Sequence, residues 1–194
     1  MRKKIGLYFG TFNPVHIGHM VIANHLVEFS DLDEVWMVVT PHNPFKKKAS
    51  LLENHHRYQM VYEATAAYPK IKPSDIEFKL PQPNYTIDTL AYISEKYPDH
   101  QFSLIMGEDN LKSFHKWKNY EVILENYNIY VYPRISEKKI SSQLVDHYRI
   151  HKIEAPIMEV SSTSIRNGIR DKKNVRPLLP EAVWKYVDEM NFYK

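Results

Sequence analysis

The stretch IGLYFGTFNPVHIGH, residues 5–19, decides the fold. Its apolar run Ile5–Phe9 predicts a buried strand that ends at Gly10, and the pattern from Gly18 to Phe29 predicts a helix. The apolar residues of this helix fall on one face: Val21, Ile22, Leu26 and Phe29. A strand, a tight loop and a helix start leave backbone N–H groups unpaired, and these groups attract anions together with the helix dipole. The stretch therefore predicts an α/β fold with an anion-binding loop after its first strand.

Two histidines mark the predicted helix start. His16 and His19 are three residues apart, so both side chains face the same side of the first turn. Gly10 leaves room for a nucleotide to approach the backbone, and Gly18 leaves room at the helix start. The alternative interpretation is that the histidines only cap or pack the helix. The whole string over residues 10–19 favours the anion site.

The rest of the chain alternates short apolar runs with longer amphipathic stretches, which is typical of a doubly wound, mainly parallel sheet. The predicted later strands are Val35–Val39, Phe102–Met106, Asn128–Tyr132 and a last short strand that ends at Met158. The predicted later helices are Asn54–Tyr68, Thr86–Tyr97, Glu137–Tyr148, one that begins near Ser162 or Thr163, and Glu181–Met190. No repeat or linker divides residues 1–194, so we expect one domain. Ligands bind beyond the carboxyl ends of the strands in such sheets.

Composition excludes several classes of protein. Hydrophobic residues make up 43% of the 194 residues and charged residues 25%, which is an ordinary globular balance. The chain has no cysteine, so a disulfide framework and a thiolate zinc site are excluded. No apolar stretch approaches the length of a membrane span or a signal sequence, so we expect a soluble, cytoplasmic protein without a membrane partner. The net charge of +3 does not separate a nucleotide-binding protein from a weak nucleic-acid binder.

A second candidate anion site follows Val160. Ser161, Ser162 and Thr163 are consecutive hydroxyl residues before a predicted helix, and such residues are preferred helix caps. One cap needs only one of them. The others, with Arg166 one turn further along, predict a second cradle for an anion.

Both segments resemble signatures of the nucleotidylyltransferase superfamily. Residues 10–19 resemble G-x-F-x-P-x-H-x-G-H, and residues 160–166 resemble I-S-S-T-x-I-R, with Val160 in place of isoleucine. The H-I-G-H letters at 16–19 also occur in class I aminoacyl-tRNA synthetases, whose catalytic domain is related. The resemblance implies a Rossmann-like fold in which the helical part from about 160 to 194 completes the ATP site. The ATP-binding residues that it implies are Gly10, Thr11, Phe12, His16, His19, Ser161, Ser162, Thr163 and Arg166.

The loop Pro41–Lys46 resembles the P-P-H-K loop of bacterial nicotinate-mononucleotide adenylyltransferases. This resemblance makes Lys46 a third catalytic residue beside the two histidines, because the family's lysine contacts the phosphates. Phe45 stands where that loop often has histidine, so only Lys46 carries over. Lys47 and Lys48 follow, and the sequence leaves open whether they contact phosphates or form a solvated run.

Three further segments resemble the part of the same family that binds the pyridine nucleotide. Tyr85 and Thr86 belong to a segment similar to S-Y-T-x-D-T, which implies contact with the nicotinate carboxylate. Gly107 and Asp109 resemble G-A-D after a central strand, which implies that Asp109 accepts from ribose hydroxyls. Trp117 matches the tryptophan that borders the pyridine ring. Each segment also has a structural interpretation: a helix cap, a negative charge at a helix start and a buried tryptophan.

The sequence departs from the family pattern at three places. Asn13 stands where the family usually has aspartate, Glu108 replaces alanine, and Phe9 replaces the first residue of a common glycine pair. None of the three is assigned to the reaction by the resemblance, although Phe9 would narrow the space above the adenine.

The resemblance implies an ATP-dependent adenylyltransferase of NAD biosynthesis. It would join the AMP moiety of ATP to nicotinate mononucleotide and give deamido-NAD and pyrophosphate. Mg²⁺ would bridge ATP phosphates, so no metal site built from the chain's own side chains is expected. Nicotinamide mononucleotide and phosphopantetheine remain alternative substrates, and a non-catalytic nucleotide-binding or RNA-binding relative is the alternative of another class. We expect no nucleic-acid partner, and self-association stays open.

Overall fold

The computed structural model describes residues 2–41, 51–134, 144 and 146–194. The strands are β1 (Lys3–Gly10), β2 (Glu34–Val39), β3 (Ile71–Ser74), β4 (His100–Gly107), β5 (Asn128–Tyr132) and β6 (Ile150–Lys152). The helices are α1 (Ile17–Phe29), α2 (Asn54–Thr65), α3 (Thr86–Lys96), α4 (Glu108–Ser113), α5 (Tyr120–Asn126), α6 (Ser162–Arg170) and α7 (Glu181–Glu189). Short 3₁₀ turns span Ile76–Lys79, Phe114–Lys116 and Arg176–Leu178.

The six described strands form one parallel sheet in the order β3-β2-β1-β4-β5-β6. The predicted doubly wound sheet is confirmed. The prediction missed β3 and β6, which are the two edge strands, and it placed a strand before Met158 where the chain is irregular. Pro156 lies in that irregular stretch and has no N–H to give to a ladder. Pro73 is tolerated in β3 because that strand is at the edge.

Helices pack on both faces of the sheet. On one face, α1, α2, α6 and α7 bury Leu26, Met60, Ile165 and Val183 against the inner strands. On the other face, α3, α4 and α5 bury side chains that include Leu90, Leu111 and Ile123. Within the described ranges, no helix is both long enough and apolar enough to cross a bilayer. The predicted helix Glu137–Tyr148 falls mostly outside the described residues, and its described end, 146–148, is not helical.

α1 ends at Phe29 as predicted, but the predicted burial of that residue was wrong. Ile22 and Leu26 are buried as expected, but Phe29 is 73% exposed. The Phe29 ring stacks on His25 with ring centroids 4.7 Å apart. Because the helix ends at Phe29, this ring has only the preceding turn of its own helix to pack against.

The sheet order creates a crevice between β1 and β4. From β1 the chain moves outward to β2 and β3, and it then returns through α3 to β4 on the other side of β1. In doubly wound sheets this reversal is where ligands bind, beyond the carboxyl ends of the two central strands. Gly10 and Gly107 are the last residues of these strands.

Candidate active site

The loop after β1 is covered by its own phenylalanine. Phe12 has a φ of +45°, a left-handed conformation that is unusual for an aromatic residue. Its ring lies over Gly10, where an added Cβ would be 2.8 Å from Phe12 Cζ. Phe12 is 2% exposed, so its side chain faces the core. Gly10 therefore makes room for Phe12, and the contact of Gly10 with a nucleotide stays a prediction.

His16 and His19 stack at the start of α1, on the same side as predicted. Their ring centroids are 3.7 Å apart. The backbone N–H of His16 donates to Nδ1 of His19 at 3.2 Å, so the hydrogen of the neutral His19 ring is on Nε2. Burial, with the nearby Arg134 guanidinium, lowers the pKa of His16 to about 4. The His16 ring is therefore neutral at pH 7 before a ligand binds.

Gly18 gives the His16 ring its place. A Cβ added to Gly18 would be 3.1 Å from Nδ1 of His16 and 3.4 Å from Cβ of Met158. The distance to His16 is tighter than ordinary van der Waals contact, so a larger residue would displace the imidazole. Gly18 thus leaves room at the helix start, as the sequence suggests, and the ring of His16 takes that room.

Two side chains hold α6 against the loop after β1. Ser162 Oγ donates to the carbonyl of Pro14 at 2.8 Å. Arg166 Nη1 donates to the carbonyl of Asn13 at 2.8 Å. These pairs are 148 and 153 positions apart in the sequence. The two predicted anion signatures therefore meet at the carboxyl edge of the sheet.

Two hydroxyl residues of the second signature, Ser161 and Thr163, have different roles at the start of α6. Ser161 is the N-cap of α6, because its Oγ accepts from the backbone N–H of Ser164 at 3.1 Å. Thr163 is exposed, and its Oγ1 accepts from Arg166 Nη2 at 3.3 Å. Arg166 itself is half-buried. One hydroxyl thus caps the helix as predicted, while Thr163 and Arg166 bond each other at the start of α6.

A completely buried arginine, Arg57 of α2, supports the loops from below. Its guanidinium donates at 2.6–2.9 Å to the carbonyls of Leu52, Thr11, Thr40 and Pro41 and to Oδ1 of Asn54. Burial lowers the pKa of Arg57 to about 10, so it stays charged at pH 7. Sequence reasoning missed it. The available signal was its position on the same helical face as Met60, Val61 and Ala64, which are buried.

A cleft beside the histidines is walled by tyrosines and an arginine. Tyr8 OH donates to Tyr132 OH at 3.3 Å, and the Arg134 guanidinium lies 5.5 Å from the centre of the Tyr132 ring. Nε of Arg134 is buried and has no hydrogen-bond partner within the described residues. Buried polar atoms are nearly always paired, so this nitrogen indicates where a polar ligand would bind. This wall could not be predicted from the sequence, since aromatic residues in strands are typical of a core.

Gly107 and Asp109 adjoin at the end of β4. A Cβ added to Gly107 would be 2.5 Å from Oδ1 of Asp109, so the carboxylate folds back over a position that only glycine leaves open. Asp109 is exposed in the first turn of α4, where a negative charge also favours the helix dipole. Glu108 accepts from the backbone N–H of Arg134 at 3.3 Å and joins this turn to the wall of the cleft.

The segments predicted to bind the pyridine ring lie together. Lys118 Nζ is 2.9 Å from Oδ2 of Asp88 and 4.6 Å from the centre of the Tyr85 ring. Trp117 precedes Lys118 and is half-buried, with its ring edge-on to Phe114 at 5.5 Å between centroids. Tyr85 is the N-cap residue of α3. The start of α3 and the Trp117 segment therefore form one surface.

A buried carboxyl group lies beneath that surface. Glu77 is 2% exposed, and its Oε1 accepts from Thr89 Oγ1 at 2.8 Å. Its backbone carbonyl accepts from Asn84 Nδ2 at 3.3 Å. Burial raises the pKa of Glu77, although the hydroxyls of Thr89 and Thr40 partly offset this. Sequence reasoning missed Glu77, and no local pattern distinguishes it from a surface glutamate.

Two predictions concern positions or groups that the coordinates do not test. Lys46, with Lys47 and Lys48, lies outside the described residues. Among the residues that are described, no group of three or more His, Cys, Asp or Glu side chains could hold a metal ion. The polar groups near the crevice include imidazoles, hydroxyls and guanidinium groups, which suit phosphate oxygens, and the carboxylates of Glu108 and Asp109 at the start of α4.

The sequence also matches a family model described as cytidylyltransferase-like, over residues 7–168. The chain belongs to the cytidylyltransferase-like family. The matched range contains the loop after β1, the histidine pair and the start of α6. The predicted membership of the nucleotidylyltransferase superfamily is confirmed.

Relatives in this family are similar along their whole length. A Flavobacterium johnsoniae protein named "Probable nicotinate-nucleotide adenylyltransferase" is 66% identical over 98% of this chain and 99% of its own length. A Christiangramia forsetii protein of the same name is 64% identical over 100% of both chains. The solved Plasmodium falciparum nicotinic acid mononucleotide adenylyltransferase complexed with NaAD matches with a TM-score of 0.79. At 21% identity over 98% of this chain and 97% of that chain, this match confirms the Rossmann-like fold.

Proposed function

We propose that this protein transfers the adenylyl group of ATP to nicotinate mononucleotide and releases pyrophosphate. The observation that carries the proposal is the meeting of the two anion signatures at the crevice between β1 and β4. His16 and His19 come from one signature and Arg166 from the other, 150 positions along the chain. The names of the relatives support the nicotinate substrate. We further propose that residues 1–194 act as one unit, with 160–194 completing the ATP site.

The chemistry needs positive donors more than it needs a base. The attacking phosphate monoester is already largely dianionic at pH 7, because its second pKa is about 6. One of its oxygens forms a bond to the α-phosphorus of ATP. At the same time the bond breaks between the α-phosphorus and the oxygen that bridges it to the β-phosphorus. Negative charge grows on the α-phosphoryl oxygens and on the leaving pyrophosphate. Donors fixed in advance around these oxygens therefore lower the barrier.

Each named side chain has a place in this scheme. His19 Nε2 carries the hydrogen that can be donated to a phosphate oxygen, since its Nδ1 accepts from the backbone. His16 is neutral in the free protein, and an adjacent polyphosphate would raise its pKa because it favours the charged imidazole. Ser161, Thr163 and Arg166 contact the β- and γ-phosphates in the proposal, and Lys46 adds a further positive charge.

Mg²⁺ would take its ligands from ATP phosphates and water. The residues near the crevice fit that arrangement, because they offer hydrogen-bond donors to phosphates and no carboxylate cage among the described side chains. Bound in this way, the ion neutralises phosphate charge. The protein's part is to position the phosphates and exclude water.

The second substrate would bind at the surface formed by the start of α3 and the Trp117 segment. Backbone N–H groups at a helix start attract a carboxylate, and we assign that role to Tyr85 and Thr86. Trp117 borders the pyridine ring in the proposal. Asp109 accepts from ribose hydroxyls, since it stands exposed at the end of β4.

Three substrates offered in parallel with ATP test this assignment. Nicotinate mononucleotide should exceed nicotinamide mononucleotide by at least tenfold in kcat/KM, because an unpaired buried donor costs about 1–3 kcal/mol. Phosphopantetheine should be nearly inert. Equal use of both pyridine nucleotides would reject the carboxylate assignment and keep adenylyl transfer. Preference for phosphopantetheine would reject the substrate, and no transfer to any of the three would favour a non-catalytic nucleotide-binding protein.

A further inference from the structure

Asn13 in the loop after β1 is a junction of three distant segments. Its backbone carbonyl accepts from Arg166 of α6. Its side-chain Oδ1 accepts from the hydroxyl of Tyr193 at 2.7 Å and from the backbone N–H of Leu52 at 3.3 Å. Asn13 is 3% exposed, so these bonds are shielded from water. The position of Asn13 therefore affects its own backbone carbonyl, which accepts the hydrogen bond from Arg166, the proposed phosphate-binding arginine.

Tyr193 reaches this junction from the segment that follows α7. Its φ of +66° is in the left-handed region, which is costly for a bulky side chain and persists only where the surroundings determine it. Asn191 nearby has a φ of +54°. Burial raises the pKa of the Tyr193 phenol, and the charges of Arg166 and Arg57 partly offset this. The hydroxyl is thus a buried, neutral donor aimed at one acceptor, 180 positions away in the sequence.

We propose that Tyr193 is a positioning residue for ATP, acting through Asn13. The Tyr193 hydroxyl orients the Asn13 side-chain amide, and this fixes the backbone carbonyl that holds Arg166 against the loop. The inference rests on the proposed function only in that ATP is the ligand. Without the hydroxyl, Asn13 Oδ1 keeps the longer bond from Leu52, and the loop gains freedom next to the histidine pair.

The substitution Tyr193→Phe tests the proposal, with Tyr186→Phe as the matched control. Tyr186 is in α7, packs against the same Phe192 ring, and bonds through its hydroxyl to Nδ1 of His56 at 2.9 Å. Both variants lose one hydroxyl and one hydrogen bond near the same helix. Tyr193→Phe should raise the KM for ATP about threefold to tenfold, the range expected for one neutral hydrogen bond. Tyr186→Phe should change it less than about twofold, although both variants should lose similar thermal stability.

A double-mutant cycle separates positioning from general support. In an Asn13→Ala background, Tyr193→Phe should have no further effect on the KM for ATP, because its acceptor is gone. If Asn13→Ala does not fold, Asn13→Asp keeps the acceptor and the full Tyr193→Phe effect must appear. Equal KM values for ATP in the Tyr193→Phe and Tyr186→Phe variants, or additive effects in the cycle, would overturn the proposal.

Isothermal titration calorimetry with ATP measures the effect of Tyr193→Phe on ATP binding without relying on the proposed reaction. If the wild-type protein binds ATP but transfers no adenylyl group to nicotinate mononucleotide, the proposed function fails. The weaker ATP binding of Tyr193→Phe relative to Tyr186→Phe must still be seen. ATP affinities that match between the two variants would reject the role of Tyr193 whatever the activity.

Discussion

In the proposed site, the half for the phosphates and the half for the pyridine nucleotide each contain a buried ionisable side chain, one basic and one acidic. Beneath the phosphate half lies Arg57, with hydrogen bonds to four backbone carbonyls and one side-chain amide oxygen. Beneath the pyridine half lies Glu77, whose Oε1 accepts from the hydroxyl of Thr89. A buried charge is costly unless its hydrogen bonds are satisfied, so each charge is held by the polar groups around it.

The difference between them concerns how completely each charge is satisfied. Arg57 stays charged and turns the carbonyl oxygens of the loops inward, away from the anion that would bind above. Glu77 has a raised pKa, because the effect of burial outweighs the hydrogen bonds from the hydroxyls of Thr89 and Thr40. The proposed phosphate half therefore contains a buried cation with five hydrogen bonds. The pyridine half depends on exposed residues, such as Tyr85 at 38% exposure, over a less satisfied base.

The largest expected effect tests the phosphate half directly. His16→Ala and His19→Ala should each lower kcat by roughly 10²–10³ with the fold retained, the scale of losing one preorganised donor. Steady-state kinetics and circular dichroism measure both quantities. His25→Ala is the matched control, because His25 lies in the same helix and stacks on the exposed Phe29. Near-normal turnover of a folded His16→Ala variant would remove that residue from the mechanism.

An intermediate effect is expected at the other signature. Arg166→Ala should raise the KM for ATP about tenfold or more, and at least as much as it lowers kcat, because the phosphates carry charge before and during the reaction. Arg170→Ala, one turn further along α6 and exposed, should leave both constants near their wild-type values. A fall in kcat alone would mean that Arg166 contacts the phosphates only in the transition state. The proposed phosphate half would then not be a site that binds ATP before the reaction.

The smallest effect belongs to the pyridine half and concerns stability. The pKa of Glu77 in the folded protein is raised above its ordinary value of 4.5, so the folded state binds the proton more tightly than the unfolded state. The folded state therefore loses stability as the pH rises from 4.5 through the raised pKa. Glu77→Gln should therefore have a higher Tm than wild type at pH 7, by a few °C, since about 1 kcal/mol shifts Tm by ~2–4 °C at this size. The difference should vanish below about pH 4.5.

A matched control makes this test specific. Glu95→Gln removes a carboxylate from the exposed side of α3 and should show no such pH-dependent gain. Thermal melts from pH 4 to pH 8 compare the variants. If Glu77→Gln is less stable than wild type at pH 7, the carboxylate is satisfied in the fold and the contrast with Arg57 is lost.

The spacing of apolar residues within one segment predicts the helices and the inner strands. The bounds of β5 are the predicted ones, and α1, α3 and α7 differ from prediction by a residue at an end. β3 and β6 are four and three residues long and form by pairing with an inner neighbour, which no local pattern records. The false strand before Met158 shows the converse, because an apolar run without a partner strand stays irregular.

The candidate site divides in the same way. The histidine pair, the hydroxyl residues and Arg166 carry local signatures, so the sequence could place them at two helix starts. The packing of the Phe12 ring over Gly10 was not predicted, because a left-handed φ at an aromatic residue is not readable from composition. The bond between Tyr193 and Asn13 spans 180 positions and depends wholly on the tertiary fold.

The contact between α6 and the loop after β1 can form only late in the synthesis of the chain. The Ser162–Pro14 bond closes a loop of 148 positions, a span whose closure is entropically costly before other contacts form. A chain still emerging from the ribosome has its histidine pair early, yet it lacks α6 until residue 170 has been made. Partly synthesised chains that end before α6 therefore lack the bonds from Ser162 and Arg166 that join α6 to the loop after β1.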